Sequence, residues 1–336
     1  MSDGMIYKNG IPYSEFGGND ITTVDLAMKT VRDGDGDAIS EKYMKRADMT
    51  TGLIDSAAYH NSMARGIDLT DRLLSGDLYK EIAAGTFRNM FIGDYFILKS
   101  KYDSTNGFIY KIPEPGVTYD GYNDEICRIA MFDGFYFSGN NIILANSVSR
   151  FIKKHHVVIV TDQLKKDRSV LNITIGNVDF DKSGVVTRCF SNDGDKAYNC
   201  IVPLEKVFDS HLLNFCCADY LYPTDGLETI VSGSGIGSSG TTGDKFRYNS
   251  RKLDLLTETE IYGSRIWGSG PADNYTFLGQ LPLFRYRSDT IKASRLGYYI
   301  KGMADINTFM CVDTSGHVSR ALAAVLMGVR VKFVLG

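Results

Sequence analysis

The sequence predicts an α+β chain in three parts: an extended arm over residues 1–50, a short helical neck over 51–86, and a head over 87–336 rich in short strands. Three observations carry this reading. The first fifty residues are polar, glycine-rich and poor in aliphatic clusters. One stretch near residue 70 has helical spacing. Beyond it, β-rich runs follow one another, bounded by Gly, Asn, Asp and Pro.

The arm has too little apolar surface to fold alone. Ordering a residue costs roughly 1–2 kcal/mol, so such a segment is expected to gain order by packing on sister copies or on an assembly. Within it, "VRDGDGDAISEKYMKR" (31–46) places Asp33, Asp35 and Asp37 at alternate positions, which raises the question of a calcium loop. An EF-hand needs a glycine at its sixth position and a bidentate Glu at its twelfth, where this chain has Ala38 and Met44. The spacing therefore reads as a polar turn, and no metal site is expected.

In the neck, "DLTDRLLSGDLYKEIAAGTF" sets Leu69, Leu73, Leu78 and Ile82 near helical spacing, with Asp68 at its head and Gly85 at its foot; it predicts one helix, broken or tightened around Gly76. In the head, strands are expected at "FIYKI", "CRIAMF", "NIILAN", "HHVVIVTDQL", "VLNITIGNV", "TRCF" and "LETIVSG". "PLEKVFDSHLLNFC" predicts a second helix and "LTETEIYG" a short third. The closing stretch from Gly297 reads as strand, turn, strand, loop and final strand, with "DTSGH" as a hairpin turn.

Composition bounds the function. With 37 basic against 40 acidic residues and a net charge of −3, there is no broad positive field to attract a nucleic-acid backbone. No run of 18 apolar residues and no basic-then-apolar start appear, so neither membrane insertion nor secretion is expected, and folding in a cytoplasm is. The six cysteines, Cys127, Cys189, Cys200, Cys216, Cys217 and Cys311, form no C-x-x-C and sit among apolar neighbours. They read as buried reduced thiols.

Sequence motifs with chemical meaning are few. Gly235, Gly237 and Gly240 match the G-x-G-x-x-G spacing, but "TTGDKFRYNS" after them lacks the helical face that would aim amides at a pyrophosphate. A loop is expected there and no nucleotide cofactor. His155 and His156 precede a strand, so their side chains point to opposite faces, one to the core and one to the surface. No nucleophile elbow, H-E-x-x-H or paired-carboxylate motif is present, and no catalytic residue is named. The stretch 262–277, "YGSRIWGSGPADNYTF", mixes the residue types that recognition loops favour without strand or helix periodicity. It supplies the candidate ligand contacts Tyr262, Arg265, Trp267, Asn274 and Tyr275.

The head also carries a resemblance. "FIGDYF" (91–96), "HHVVIVTDQLK" (155–165), "LNITIGNVDFDKSGV" (171–185), "FDSHLLNF" (208–215), "LLTETEIYGS" (255–264), "GQLPLFRY" (279–286) and residues 298–335 are collinear with a phage and prophage structural domain similar to the C-type-lectin-like fold. The chain departs from that pattern at "YYIKG" (298–302), where the family usually has "WLR", and at "GVRVKF", where it has "GVRPVF". In the arm, Asp33 to Tyr43 resembles the D-G-x-G-x-x-I-x-x-x-Y segment near the start of phage tail-fibre and head-fibre proteins. On that resemblance Asp35 and Gly36 form a tight turn, while Ile39 and Tyr43, four apart, offer an apolar edge to neighbouring chains.

The resemblance implies a bacteriophage virion structural protein, a head, neck or tail fibre or appendage assembled in the host cytoplasm. Its arm would join other virion proteins, its copies would form a homotrimer, and its head would bind a host-surface glycan or protein, or a virion ligand, without nucleic acid, cofactor or catalysis. The rival expectation is a catalytic tip or a formylglycine-generating-like oxidase on the same fold. Such an oxidase would need reactive thiols from Cys216, Cys217 or Cys311.

Overall fold

The computed structural model describes residues 56–336 except 141, 145–146, 163, 167–168, 171, 177, 221–245, 265–277, 293–296 and 304–307; before residue 56 it describes 7–8 and 11–12. Two compact units are present, Met1–Ile54 and Asp55–Gly336. In the first, β1 (Tyr7–Lys8) and β2 (Ile11–Pro12) pair antiparallel. Asp35, Gly36, Ile39 and Tyr43 lie outside the described residues.

The larger unit is α+β, as the sequence predicts. It opens with α1 (Ala57–His60), whose first turn is capped by the Ser56 hydroxyl accepting from Tyr59 N at 3.2 Å. Two helices follow, α2 (Thr70–Leu74) and α3 (Asp77–Ala84). The expected break falls at Gly76, which sits left-handed at φ 77°, a conformation that costs a side-chain-bearing residue more. Leu69, Leu73, Leu78 and Ile82 are buried in the same apolar core as the strands of this unit.

In chain order the further strands are β3 (Tyr95–Asp103), β4 (Gly107–Lys111), β5 (Asn123–Phe132), β6 (Val157–Thr161), β7 (Lys165–Lys166), β8 (Ser169–Val170), β9 (Asn172–Ile173), β10 (Leu212–Leu213), β11 (Phe215–Tyr220), β12 (Phe246–Arg251), β13 (Leu253–Leu255), β14 (Tyr298–Met303), β15 (Thr308–Val312), β16 (Val318–Leu322), β17 (Met327–Gly328) and β18 (Val331–Leu335). The further helices are α4 (Ile201–Phe208), α5 (Glu258–Tyr262) and α6 (Pro282–Tyr286).

One antiparallel sheet runs β10-β18-β6-β5-β3-β4, with β13 also paired to β18. β6 and β18 are buried along their whole lengths, which explains why neither alternates apolar with polar residues: β6 opens as a run of four apolar residues, and β18 is apolar except at Lys332. Phe208 of α4 packs on Phe96 of β3 and Phe333 of β18, with ring centroids 5.9 and 5.5 Å apart. The other large sheet runs β16-β15-β14-β17-β9; its β15–β16 hairpin turns through Asp313–His317, as expected from "DTSGH". Among the described residues no helix is long and apolar enough to cross a membrane.

Three expectations differ from the structure. "TRCF" belongs to a wide π-helical stretch, Val185–Phe190, because Val185, Val186, Cys189 and Phe190 recur at helical rather than alternating spacing and are all buried. Ile142 and Ile143 of "NIILAN" are exposed, and among the described residues they form the single bridge Ile143↔Ser149 and no strand ladder. The helix from Pro203 stops at Phe208, since Asp209 takes φ 47°, and the remaining "LLNFC" extends into β10 and β11. "LETIVSG" falls on residues 227–233, outside those described.

Candidate functional site

A cleft of about 380 Å³ opens on the larger unit where the β3–β4 turn, the loop 191–200 and α4 meet. Ligand pockets run from about 300 to 1,000 Å³, so this one suits a small molecule or one unit of a polymer. Its walls are set by local chemistry. In the β3–β4 turn, the Asp103 carboxylate accepts from Thr105 N at 2.9 Å and Asn106 N at 2.7 Å, and these bonds lower its pKa. Gly107 follows at φ 80°; a Cβ there would stand 2.7 Å from the Lys196 carbonyl oxygen, so glycine is what lets the two walls meet. Lys196 Nζ reaches back to Thr105 O at 3.4 Å.

The loop wall is held from inside. Asn199 donates from Nδ2 to Ser191 O at 2.8 Å and accepts from Val202 N at 3.0 Å, tying the loop to the first turn of α4. Arg188 pairs with Asp195 at 3.0 Å and lies over the Tyr198 ring at 3.6 Å from its centroid. Phe108, Val202 and Pro203 give the cleft an apolar floor, and Asn192, Asp193, Lys196 and Lys206 an exposed polar rim. The Asn192, Asp193 and Lys206 side chains make no hydrogen bond or ion pair with the described residues, so their polar groups are open to a ligand. The lining has no cysteine, no histidine and one carboxylate.

A second cluster of charge is buried. Asp219, Asp254, Glu260, Lys301 and Lys332 are each at most 3 % exposed. Lys301 Nζ donates to Asp254 at 2.5 Å, and Lys332 Nζ to Glu260 at 2.6 Å. Arg251 grips Asp219 with both terminal nitrogens, and Asn249 donates to the same carboxylate at 2.5 Å. With Arg251 included, the cluster holds three cations and three carboxylates, so its charges cancel. Burial alone would push the Asp254 carboxyl up, but Lys301, Lys332 and Arg251 overcome it and hold the group at about 2. Lys301 also resists its own burial: Asp254 and Asp219 keep it charged well above the usual lysine range. Lys301 and Lys332 both converge on Asp254. Sealed from solvent, this network organises the junction of β13, β14 and β18.

The thiols are poorly placed for chemistry. Burial raises Cys216 to about 12 and Cys311 to about 11, and it raises Cys217 further, despite the nearby Lys301. His156 is fully buried and His155 half-buried; Asp133 Oδ2 lies 2.7 Å from His155 Nδ1, and its Oδ1 accepts from His156 N at 2.9 Å. Among the described residues no group of three or more His, Cys, Asp or Glu side chains could hold a metal.

Of the candidate ligand contacts in 262–277, Tyr262 is described, and its hydroxyl donates to Gly316 O at 3.0 Å, fastening α5 to the β15–β16 turn. Arg265, Trp267, Asn274 and Tyr275 lie outside the described residues. The sequence reading missed the cleft. "SNDGDKAYN" (191–199) carries a turn composition that marks a loop, but nothing in sequence joins it to Asn106. Compared with family models, curated proteins and solved structures, the chain matches none.

Proposed function

We infer that the chain is a bacteriophage virion appendage protein whose larger unit is a binding head, and that its N-terminal segment joins copies of the chain, as a homotrimer, to the particle. The collinear motifs of the head and the Asp33–Tyr43 segment support the virion assignment and a C-type-lectin-like relationship for the head. The division of the chain at Ile54/Asp55 supports an arm distinct from a knob. The observation that carries the binding reading is the cleft, with its pinned walls, its apolar floor and a polar rim on which Asn192, Asp193 and Lys206 make no bond with the described residues. Such pre-organisation lowers the ordering cost of binding. Its single carboxylate lacks the second that glycoside hydrolysis ordinarily uses, and the raised thiol pKa values weigh against cysteine-based oxidation.

Electron microscopy of purified particles, with antibody against the larger unit, tests the assignment. Labelled copies projecting from the virion are expected. Particles that carry none of this chain, while the infected cell contains it, would overturn the reading.

A further inference from the structure

We propose that the cleft between the β3–β4 turn and α4 is a saccharide subsite that takes an uncharged hexose or N-acetylhexosamine unit. The inference rests on the binding-head reading and names the ligand class and the residues. Its first ground is the division of the cleft into faces. Phe108, Val202 and Pro203 make an apolar floor against which the C–H face of a sugar ring packs, while the rim offers hydrogen-bonding groups to the hydroxyl edge.

The second ground is the mixture of donors and acceptors on that rim. Sugar hydroxyls donate and accept at once, and here an ammonium donor (Lys206), a carboxylate acceptor (Asp193) and an amide that does both (Asn192) stand together without partners among the described residues. Lys196 is engaged with Thr105 O at 3.4 Å, so the open charges of the rim, Asp193 and Lys206, balance. A neutral polyol answers both without leaving either charge facing a like one. The third ground is rigidity: Asn199 and the Asp103 turn fix the two walls before any ligand arrives.

The test is nuclear magnetic resonance of the isotopically labelled full chain, titrated with glucose, galactose, rhamnose and N-acetylglucosamine, and with glucuronate and glucosamine as charged comparators. At least one neutral sugar is expected to shift the Gly107 and Gly194 backbone amides and the Asn192 and Asn199 side-chain amides, and to do so at lower concentration than either charged sugar. Asn192→Ala with Asp193→Ala removes two exposed, unbonded side chains without touching the fold and is expected to weaken binding about tenfold or more. His317→Ala, on a side chain 80 % exposed and outside the cleft, is expected to leave it unchanged. Absence of shifts at these amides with every neutral sugar, tighter binding of a charged sugar, or unchanged affinity in the double variant would each overturn the proposal. If labelled chain is found on particles while the cleft ignores sugars, the subsite alone falls. If the cleft takes sugar in a chain absent from particles, the appendage assignment alone falls.

Discussion

Replacing Asp254 with alanine should be among the most damaging single changes to this protein. The carboxylate is fully buried, directly opposite Lys332 in the β13–β18 register, 2.5 Å from Lys301 and 3.4 Å from Arg251. Its removal leaves three cations, Lys301 and Lys332 among them buried, against two carboxylates, and among the described residues the carboxylate left to Lys301 is Asp219, at 3.6 Å. Breaking one member of a buried ionic group typically costs about 3–5 kcal/mol, a large share of the roughly 5–15 kcal/mol that holds a domain folded. Urea denaturation of Asp254→Ala should therefore show a midpoint lowered by about 1 M or more at an unchanged slope. The double replacement Asp254→Leu, Lys301→Met removes both charges of the closest pair and should recover most of the loss, since a buried pair contributes little net stability over apolar packing.

The same carboxylate predicts an acid limb. Its folded pKa, about 2, lies below the unfolded value of about 3.9, so its contribution is fully present above the unfolded value. It is lost as pH falls through about 2. The difference corresponds to about 2–3 kcal/mol, and Asp254→Asn should flatten stability against pH in that window. A loss below about 1 kcal/mol in Asp254→Ala, or a double variant no more stable than the single one, would refute the argument that this cluster is held together by charge balance.

Other outcomes follow from single contacts. His156 donates from Nδ1 to Lys154 O at 2.8 Å and accepts at Nε2 from Phe135 N at 3.0 Å, so protonation at Nε2 breaks the second bond. Burial keeps its pKa low, so its stabilisation is present above about pH 6.5 and declines below it; His156→Gln should remove that part of the slope in thermal melts at graded pH. Gly107→Ala forces a Cβ toward the Lys196 carbonyl at positive φ and should cost more than about 1 kcal/mol, read as a fall of about 2–4 °C or more in Tm. Thr257→Ala deletes the capping box in which Thr257 and Glu260 cap each other at the start of α5, and should cost about 1 kcal/mol by denaturant titration.

Local signals were legible where one residue pattern decided the outcome. The break at Gly76, the short helix after Thr257 and the turn at Asp313–His317 each rest on residues within a few positions of one another. "TRCF" was not legible, because a short apolar run satisfies a strand or a buried helical turn equally, and only packing against the core chooses. The ionic cluster was hidden for another reason. Asp219, Asp254, Lys301 and Lys332 each interrupt an apolar strand run, which looks like a defect until the sheets bring the charges together. The cleft joins Asn106 to residues 192–206, a proximity that long-range packing alone creates.

The central claim, that the larger unit is an outward-facing binding head acting through this cleft, is tested most directly by adsorption competition. Purified full chain is incubated with host cells before particles are added, and free particles are counted. The chain should block adsorption, and the Asn192→Ala, Asp193→Ala double variant should block it about tenfold less effectively. Undiminished adsorption in the presence of saturating wild-type chain, or equal blocking by the variant, would contradict it.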